Sequence, residues 1–465
     1  MSRPVVIIGA GPAGLSCAWE LASAGREVVL IDDNGMAGGQ YFRQLPETYQ
    51  VSRDARLLRD KARFDELAKV LTLPGVRYLS STVVWGAPGN KTVAYAGPTS
   101  SGRIEASAIV IATGAQEKSL PFPGWTLPGI ISAGGCLNLA KAHGMVPTGR
   151  VVVAGNGPLV LVAAATLIAA GAEVVGVVEA QSDIRLASAA VSGLFAAPGV
   201  LRTGIGYRAR IMAARAGFRT GWMVAGARGK DRLTAVGIAP VGADGRPRRD
   251  KQQWIEADAL VVGYGLLPGT ETARLFGCRT EHNPALNGLV PWRDDTLRTS
   301  EEGIYAIGDG AGIGGVEVAL LEGRIAAHSI MGTRAPASLA SRYRRLDGYR
   351  RKLNLAYRMP QPLLAATDDT IICRCEELTL GRLLADPGRG RNSLNAVKTS
   401  SRLGMGRCQG RNCLHVASSL LGLATDDLTT HPRARPPLKP LAVGLLAADK
   451  DAGSAMEPDE ITLSE

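Results

Sequence analysis

The chain has 465 residues, 46% of them hydrophobic, and a formal net charge of +11. That length exceeds a single core and argues for about three domains, while no apolar run approaches the roughly 20 residues of a membrane span, which argues for a soluble protein. Seven cysteines, an odd number dispersed along the chain, speak against a disulfide framework and for a reducing, cytoplasmic setting.

Residues 5 to 33 read strand, turn, helix, strand: Val5 to Ile8, Gly9-Ala10-Gly11-Pro12-Ala13-Gly14, a helix to about Ala24, then Val28 to Ile31 ending at Asp32. Gly9 permits the tight turn, Gly11 lets backbone approach a pyrophosphate, and Gly14 lets the helix pack on the strand. The helix N-terminus offers free N–H groups and partial positive charge to phosphate. Asp32 is placed to accept hydrogen bonds from an adenosine ribose. The Val5 to Ile8 run is too short, and too soon broken by glycine, for a signal peptide. Gly38-Gly39-Gln40 supplies a second glycine pair that would admit a flavin's phosphate and ribityl chain. Far downstream, Gly303 to Gly310 reads as a strand ending at Gly308-Asp309, followed by a glycine-rich helix start through Gly315. Asp309 can bind ribityl hydroxyls there, or serve as an ordinary helix cap. Together these segments favour FAD over NAD at the first site.

A second unit repeats the pattern: Val151 to Ala154, Gly155-Asn156-Gly157, an apolar helix to about Ala170, and Val174 to Val178 ending at Glu179. Its third glycine position is Val160, which is expected to loosen helix packing at the turn. Glu179 favours NAD over NADP if a nucleotide binds. A working NAD or adenine-nucleotide pocket and a retained fold element both fit this unit. Ile109-Val110-Ile111-Ala112-Thr113-Gly114-Ala115 resembles the strand that closes the FAD domain in two-dinucleotide-domain flavoproteins, with Thr113 and Gly114 at the crossing. Ala259 to Gly265 resembles the return crossing. The fold this implies is α/β, a Rossmann-like FAD domain of 1–117 and 290–335 with an NAD-type domain of 118–289 inserted. Many such proteins set a Cys-x-x-Cys beside the flavin. Here Cys17, Cys136 and Cys278 stand alone, better as small buried hydrophobes than as nucleophiles, which disfavours a dithiol reductase.

Residues 336–367 form a basic helical linker, with Arg342, Arg344, Arg345, Arg350, Arg351 and Lys352 offering either a solvated face or a contact for an acidic partner or anionic surface. No nucleic-acid module accompanies them. Residues 368–425 carry Cys373-Arg374-Cys375 and Cys408 to Cys413. In an extended Cys-x-Cys both side chains share a face, and Gly404, Gly406 and Gly410 can wrap backbone so that N–H groups point at sulfur. Four thiolates suit [2Fe–2S], with zinc the competing choice. His415 is a packing or surface residue on this reading.

The cysteine segment resembles the small [2Fe–2S] domain of bacterioferritin-associated ferredoxin, though that domain has Cys-x-x-Cys where this chain has a longer gap. The run from Val397 to Cys413, the Pro121 to Gly129 segment and the tail Arg435-Pro436-Pro437-Leu438-Lys439-Pro440 resemble the A, or alpha, subunits of heteromeric FAD-dependent opine and hydroxyproline dehydrogenases. Hydrogen cyanide synthase and heterotetrameric sarcosine oxidase subunits are relatives. The resemblance implies an electron-transfer flavoprotein subunit with FAD and [2Fe–2S]. It further implies a partner beta subunit with its own FAD that oxidises an amine, opine or imino acid, an FMN between subunits in some members, room for a small third subunit, and a cytoplasmic site with peripheral membrane association left open. A self-sufficient NAD(P)H-dependent oxidoreductase and a structural or regulatory subunit remain the alternatives. The tail, 426–465, is expected to cross a surface in extended form near Pro432 to Pro440 and to be disordered from 450 onward.

Overall fold

A computed structural model describes residues 3–45, 60–89, 91–98, 101–358, 365–391, 393–423 and 434–448. Two five-stranded parallel sheets organise it. In the first, Ile304–Ala306, Ala108–Ile111, Val5–Ile8, Val28–Ile31 and Val76–Leu79 lie in that order. The apolar runs of the three central strands are continuous rather than alternating because both of their faces are covered, whereas the edge strand Val76–Leu79 exposes Arg77. Val5–Ile8, Val28–Ile31 and Ala108–Ile111 are buried at every position. Ile7, Leu15, Leu21 and Leu30 are fully buried in the core beneath this sheet, each side chain contributing about 1.5–3 kcal/mol.

The second sheet runs Gly217–Thr220, Glu173–Glu179, Arg150–Gly155, Ala259–Gly263, Ile130–Ser132. Chain crosses between the two domains along Ala115–Glu117, which pairs antiparallel with the returning Leu266–Pro268. Each domain also carries a three-stranded antiparallel sheet: Val83–Gly89 with Thr92–Ala96 and Ser101–Glu105, and Trp222–Arg228 with Ala235–Pro240 and Gln253–Glu256.

The helix Ala337–Ala356, expected within a linking segment, is built into the fold. Leu339, Leu346 and Tyr349 join the first domain's core, and Arg350 is 3% exposed. Only part of the basic run is the solvated face the charges suggest. Arg344, Arg345 and Lys352 are exposed, whereas Arg350 turns inward because a buried carboxylate, Glu322, waits for it at 3.0 Å. Residues 365–423 form a separate small core of Ile372, Leu378, Leu383, Leu394, Val397, Leu403 and Val416 that includes Cys373 and Cys413.

From Ala434 the tail crosses the first domain. Leu438 donates its amide to Trp85 O at 3.0 Å, its carbonyl accepts from Arg411 at 3.2 Å, and Lys439 pairs with Asp33. Residues 450–465, expected to be disordered, lie outside the described residues. Among the described residues no helix is long and apolar enough to cross a membrane.

Candidate functional site

The first site sits where Val5–Ile8 turns into the helix Pro12–Ser23. Gly9 adopts φ +111, and a Cβ there would overlap the carbonyl oxygen of Ala112, so the residue type follows from backbone crowding and conformation together. A Cβ on Gly14 would overlap Gly9 O, and one on Gly39 would stand 2.9 Å from Gly11 Cα. The two glycine turns are therefore adjacent, as their separate spacings implied. Pro12 starts the helix without a missing hydrogen bond. Gln40 is exposed beside Gly39.

Asp32 is 6% exposed at the end of the neighbouring strand. Its Oδ2 accepts the Ala10 amide at 2.6 Å and its Oδ1 accepts the Asn34 amide at 2.8 Å. These bonds fix the carboxylate against the turn, at the edge where a ribose would lie.

From the other side come Gly308 and Asp309. Gly308, at φ +69, lies against Ala13, since a Cβ on it would stand 3.0 Å from the Ala13 Cβ. Asp309 Oδ1 accepts the amides of Gly314 and Gly315 at 2.8 and 2.9 Å, so its carboxylate is tied to the start of the following helix, although the N-cap position itself is Gly314. Burial raises its pKa, with the two amides and Arg350 opposing. The helix that follows, Gly315–Ile330, packs on Pro12–Ser23 through Gly323, where a Cβ would overlap Ala13 O. Two helix N-termini thus converge on one site, and each favours bound negative charge. Thr113 donates to Gly269 O at 3.0 Å, and Gly114 O accepts the Gly269 amide at 3.0 Å, which ties the site's rim to the domain crossing.

Sequence reasoning passed over what lies beneath. Glu322, 0% exposed, accepts from Arg293 through both oxygens at 3.0 Å, from Arg350 at 3.0 Å, from Tyr343 at 3.1 Å, and from the Gly308 amide at 2.7 Å. Burial would raise the Glu322 pKa, but the two guanidinium groups outweigh it and hold the carboxyl below its usual range. Glu322 stands within the largely apolar stretch Val318 to Ala327, beyond the first-turn acid Glu317, and that placement was the available signal.

The second site repeats the first. Gly155 (φ +155) and Gly157 (φ +112) form the turn. Glu179 Oε2 accepts the Gly157 amide at 3.1 Å and Oε1 that of Gln181 at 2.9 Å. Burial pushes Glu179 up to about 8 despite these bonds. Val160, expected to loosen the turn, is instead fully buried in that domain's core with Val151 and Val153.

In the cysteine segment, Cys413 hydrogen-bonds Cys373, and the amides of Gly404, Glu376 and Cys375 also point at the Cys373 sulfur, which together hold its pKa down despite burial. The Cys413 thiol is pushed up by that hydrogen bond, by burial, and by the nearby sulfurs of Cys373, Cys408 and Cys375. Cys373 and Cys413 share the segment's small core, and Gly406, two residues before Cys408, lies against Cys375, although among the described residues no three His, Cys, Asp or Glu side chains stand as a ready metal cage. A Cβ on Gly406 would overlap that of Cys375. The segment is docked at the domain crossing by Trp125 Nε1 donating to Ile371 O at 2.8 Å, His415 Nε2 bonding Ser119 O at 2.9 Å, and Arg411 facing Glu271 at 3.4 Å. His415 is thus a half-buried docking residue.

Burial raises the Cys17 thiol far above its ordinary value, and both Cys136 and Cys278 to about 11. None of the three has the character of a nucleophile.

Two dinucleotide turns on parallel sheets, joined by paired crossing strands, define an α/β oxidoreductase of the FAD and NAD(P)-binding kind. The chain belongs to the pyridine nucleotide-disulphide oxidoreductase family, which it matches over residues 3–326. Along nearly its whole length it is also similar to components of larger enzymes. It is 32% identical to an opine oxidase subunit of Agrobacterium tumefaciens (strain Ach5), over 95% of this chain and 91% of that one. It is 34% identical to hydrogen cyanide synthase subunit HcnB of Pseudomonas protegens, over 91% and 93% respectively. In fold it resembles L-proline dehydrogenase from P. horikoshii, with a TM-score of 0.64 and 19% identity over 96% of this chain and 79% of that chain.

Proposed function

We propose that this chain is the electron-transfer subunit of a heteromeric dehydrogenase acting on an amine, opine or imino acid, with FAD in the first site and [2Fe–2S] on Cys373, Cys375, Cys408 and Cys413. The observation that carries the reading is the packing of the cysteine segment beside the domain crossing, with Cys373 and Cys413 in its small core and Cys375 against Gly406, two residues before Cys408. Bound, FAD accepts electrons in pairs and the cluster passes them singly. The chain's own contribution is to hold and bias both groups. Gly9, Gly11, Gly14 and Gly39 admit a pyrophosphate, Asp32 faces the ribose, and the helices beginning at Pro12 and Gly315 supply positive potential. Amides directed at sulfur stabilise its anionic form. A partner chain that carries out substrate oxidation is supported by the likeness to proteins named as subunits.

The test mixes the purified chain, with and without its partner, with hydroxyproline, octopine, sarcosine or glycine under anaerobic conditions. Flavin bleaching is expected only with partner and amine together. Bleaching of the single chain by NADH would instead make it a self-sufficient reductase, and no bleaching in any mixture would leave a structural role. Gly406→Ala is expected to lower bound iron several-fold without removing a sulfur, because the added methyl must displace Cys375. Gly390→Ala, where nothing stands within 4 Å, is expected to leave iron content unchanged.

A further inference from the structure

The second dinucleotide site has an occupant supplied by its own chain. Asn156, between the two glycines of the turn, donates through Nδ2 to Tyr357 O at 2.7 Å. Gln181, two residues beyond the ribose-facing acid, donates through Nε2 to Arg358 O at 3.4 Å, and Arg185 donates to the same oxygen at 3.1 Å. Tyr357 and Arg358 continue directly from the helix Ala337–Ala356, their amides bonded back to Leu353 O and Leu355 O. That helix is held in place independently. Arg350 is anchored on Glu322, and the Tyr349 hydroxyl stands 3.0 Å from where a Cβ on Gly193 would be.

We infer that Tyr357 and Arg358 close the adenosine end of the second site, so that a nicotinamide dinucleotide does not enter it while the helix end is seated. The edge between the glycine turn and the terminal acid of the second strand is where an adenosine ribose binds in this architecture, and here two backbone carbonyls already take the donors on that edge. Closure is poised rather than permanent. Asn156 Oδ1 is buried with no partner, an unsatisfied polar atom that opposes the closed arrangement. Reducing equivalents would then reach the first site by a route other than NADH. The inference concerns only the second site and stands or falls separately from the flavin and cluster assignments, since its test needs neither partner nor substrate.

Equilibrium dialysis of NADH and of ADP-ribose against the full chain, wild type and Tyr357→Gly, decides it. Removing the ring and loosening the helix end is expected to tighten both ligands by about tenfold or more, the factor by which a mostly closed population weakens apparent affinity. Equal affinity in the two proteins, whether tight or undetectable, overturns the inference. Should Tyr357→Gly fail to fold, the decision passes to Arg185→Ala, an exposed position that loses one anchor on Arg358. A smaller gain in the same direction supports closure, and unchanged binding rejects it.

Discussion

Glu322→Gln is expected to destabilise the first domain by about 3–5 kcal/mol, the usual cost of leaving buried charge without its partner. Glu322 is the shared anion between Arg293 and Arg350, whose side chains are only 8% and 4% exposed. The substitution keeps volume but removes the charge, so two buried guanidinium groups lose their common partner and only Arg350 retains Asp347. The Gly308 amide, which now donates to Glu322 at 2.7 Å, would face an uncharged amide, so the loop carrying Asp309 should loosen too. Urea unfolding followed by tryptophan fluorescence measures the loss, read from the first transition because a multidomain chain need not unfold in one step. Glu317→Gln is the contrast. Its partners Arg63 and Arg342 are 39% and 54% exposed, and the expected change is under about 1 kcal/mol. The pH dependence has a definite sign. The folded pKa of Glu322 lies below its ordinary value, so its stabilisation is complete above the unfolded value of about 4.3 and fades as pH falls through the folded one. The wild-type advantage over Glu322→Gln should shrink in that acid window.

Gly14→Ala is expected to abolish flavin retention during purification and to cost about 1–3 kcal/mol or more in stability. The new methyl would overlap the carbonyl oxygen of Gly9, with Ile7 Cγ2 at 3.3 Å behind it. Neither can yield easily, because Gly9 is itself pressed against Ala112 and Ile7 is fully buried. The helix Pro12–Ser23 must therefore lift away from its strand, taking its N-terminal amides out of line with the pyrophosphate. Flavin content per chain after gel filtration reads this directly. Gly25→Ala, where nothing lies within 4 Å but φ is +73, should lose a little stability through backbone strain and keep its flavin. A flavin-free Gly25→Ala protein would show that retention responds to general destabilisation rather than to the turn.

Both glycine turns and their terminal acids were legible because each depends on residues within one strand-turn-helix-strand unit. The same holds for the buried strands, whose continuous apolar runs reflect covering on both faces. What escaped depends on contacts remote in sequence. The hydrogen bond from Asn156 to Tyr357 spans 201 positions, and the one from Trp125 to Ile371 spans 246. No local pattern announces such pairs. The basic run misled for a related reason. Arg350 has the same chemistry as the exposed Arg344 and Arg345, and only the carboxylate of Glu322 on another helix separates an inward residue from a solvated one. Val160 looked like a defect because the turn was judged alone, whereas the apolar core of the second domain accommodates it.

Metal, sulfide and flavin analysis of the anaerobically purified chain tests the proposed pairing of cofactors most directly. A coloured protein with about one FAD, two iron and two sulfide per chain is expected, with loss of the iron and sulfide but not the FAD in Cys408→Ser. A colourless preparation, or one holding zinc without iron or sulfide, would contradict it.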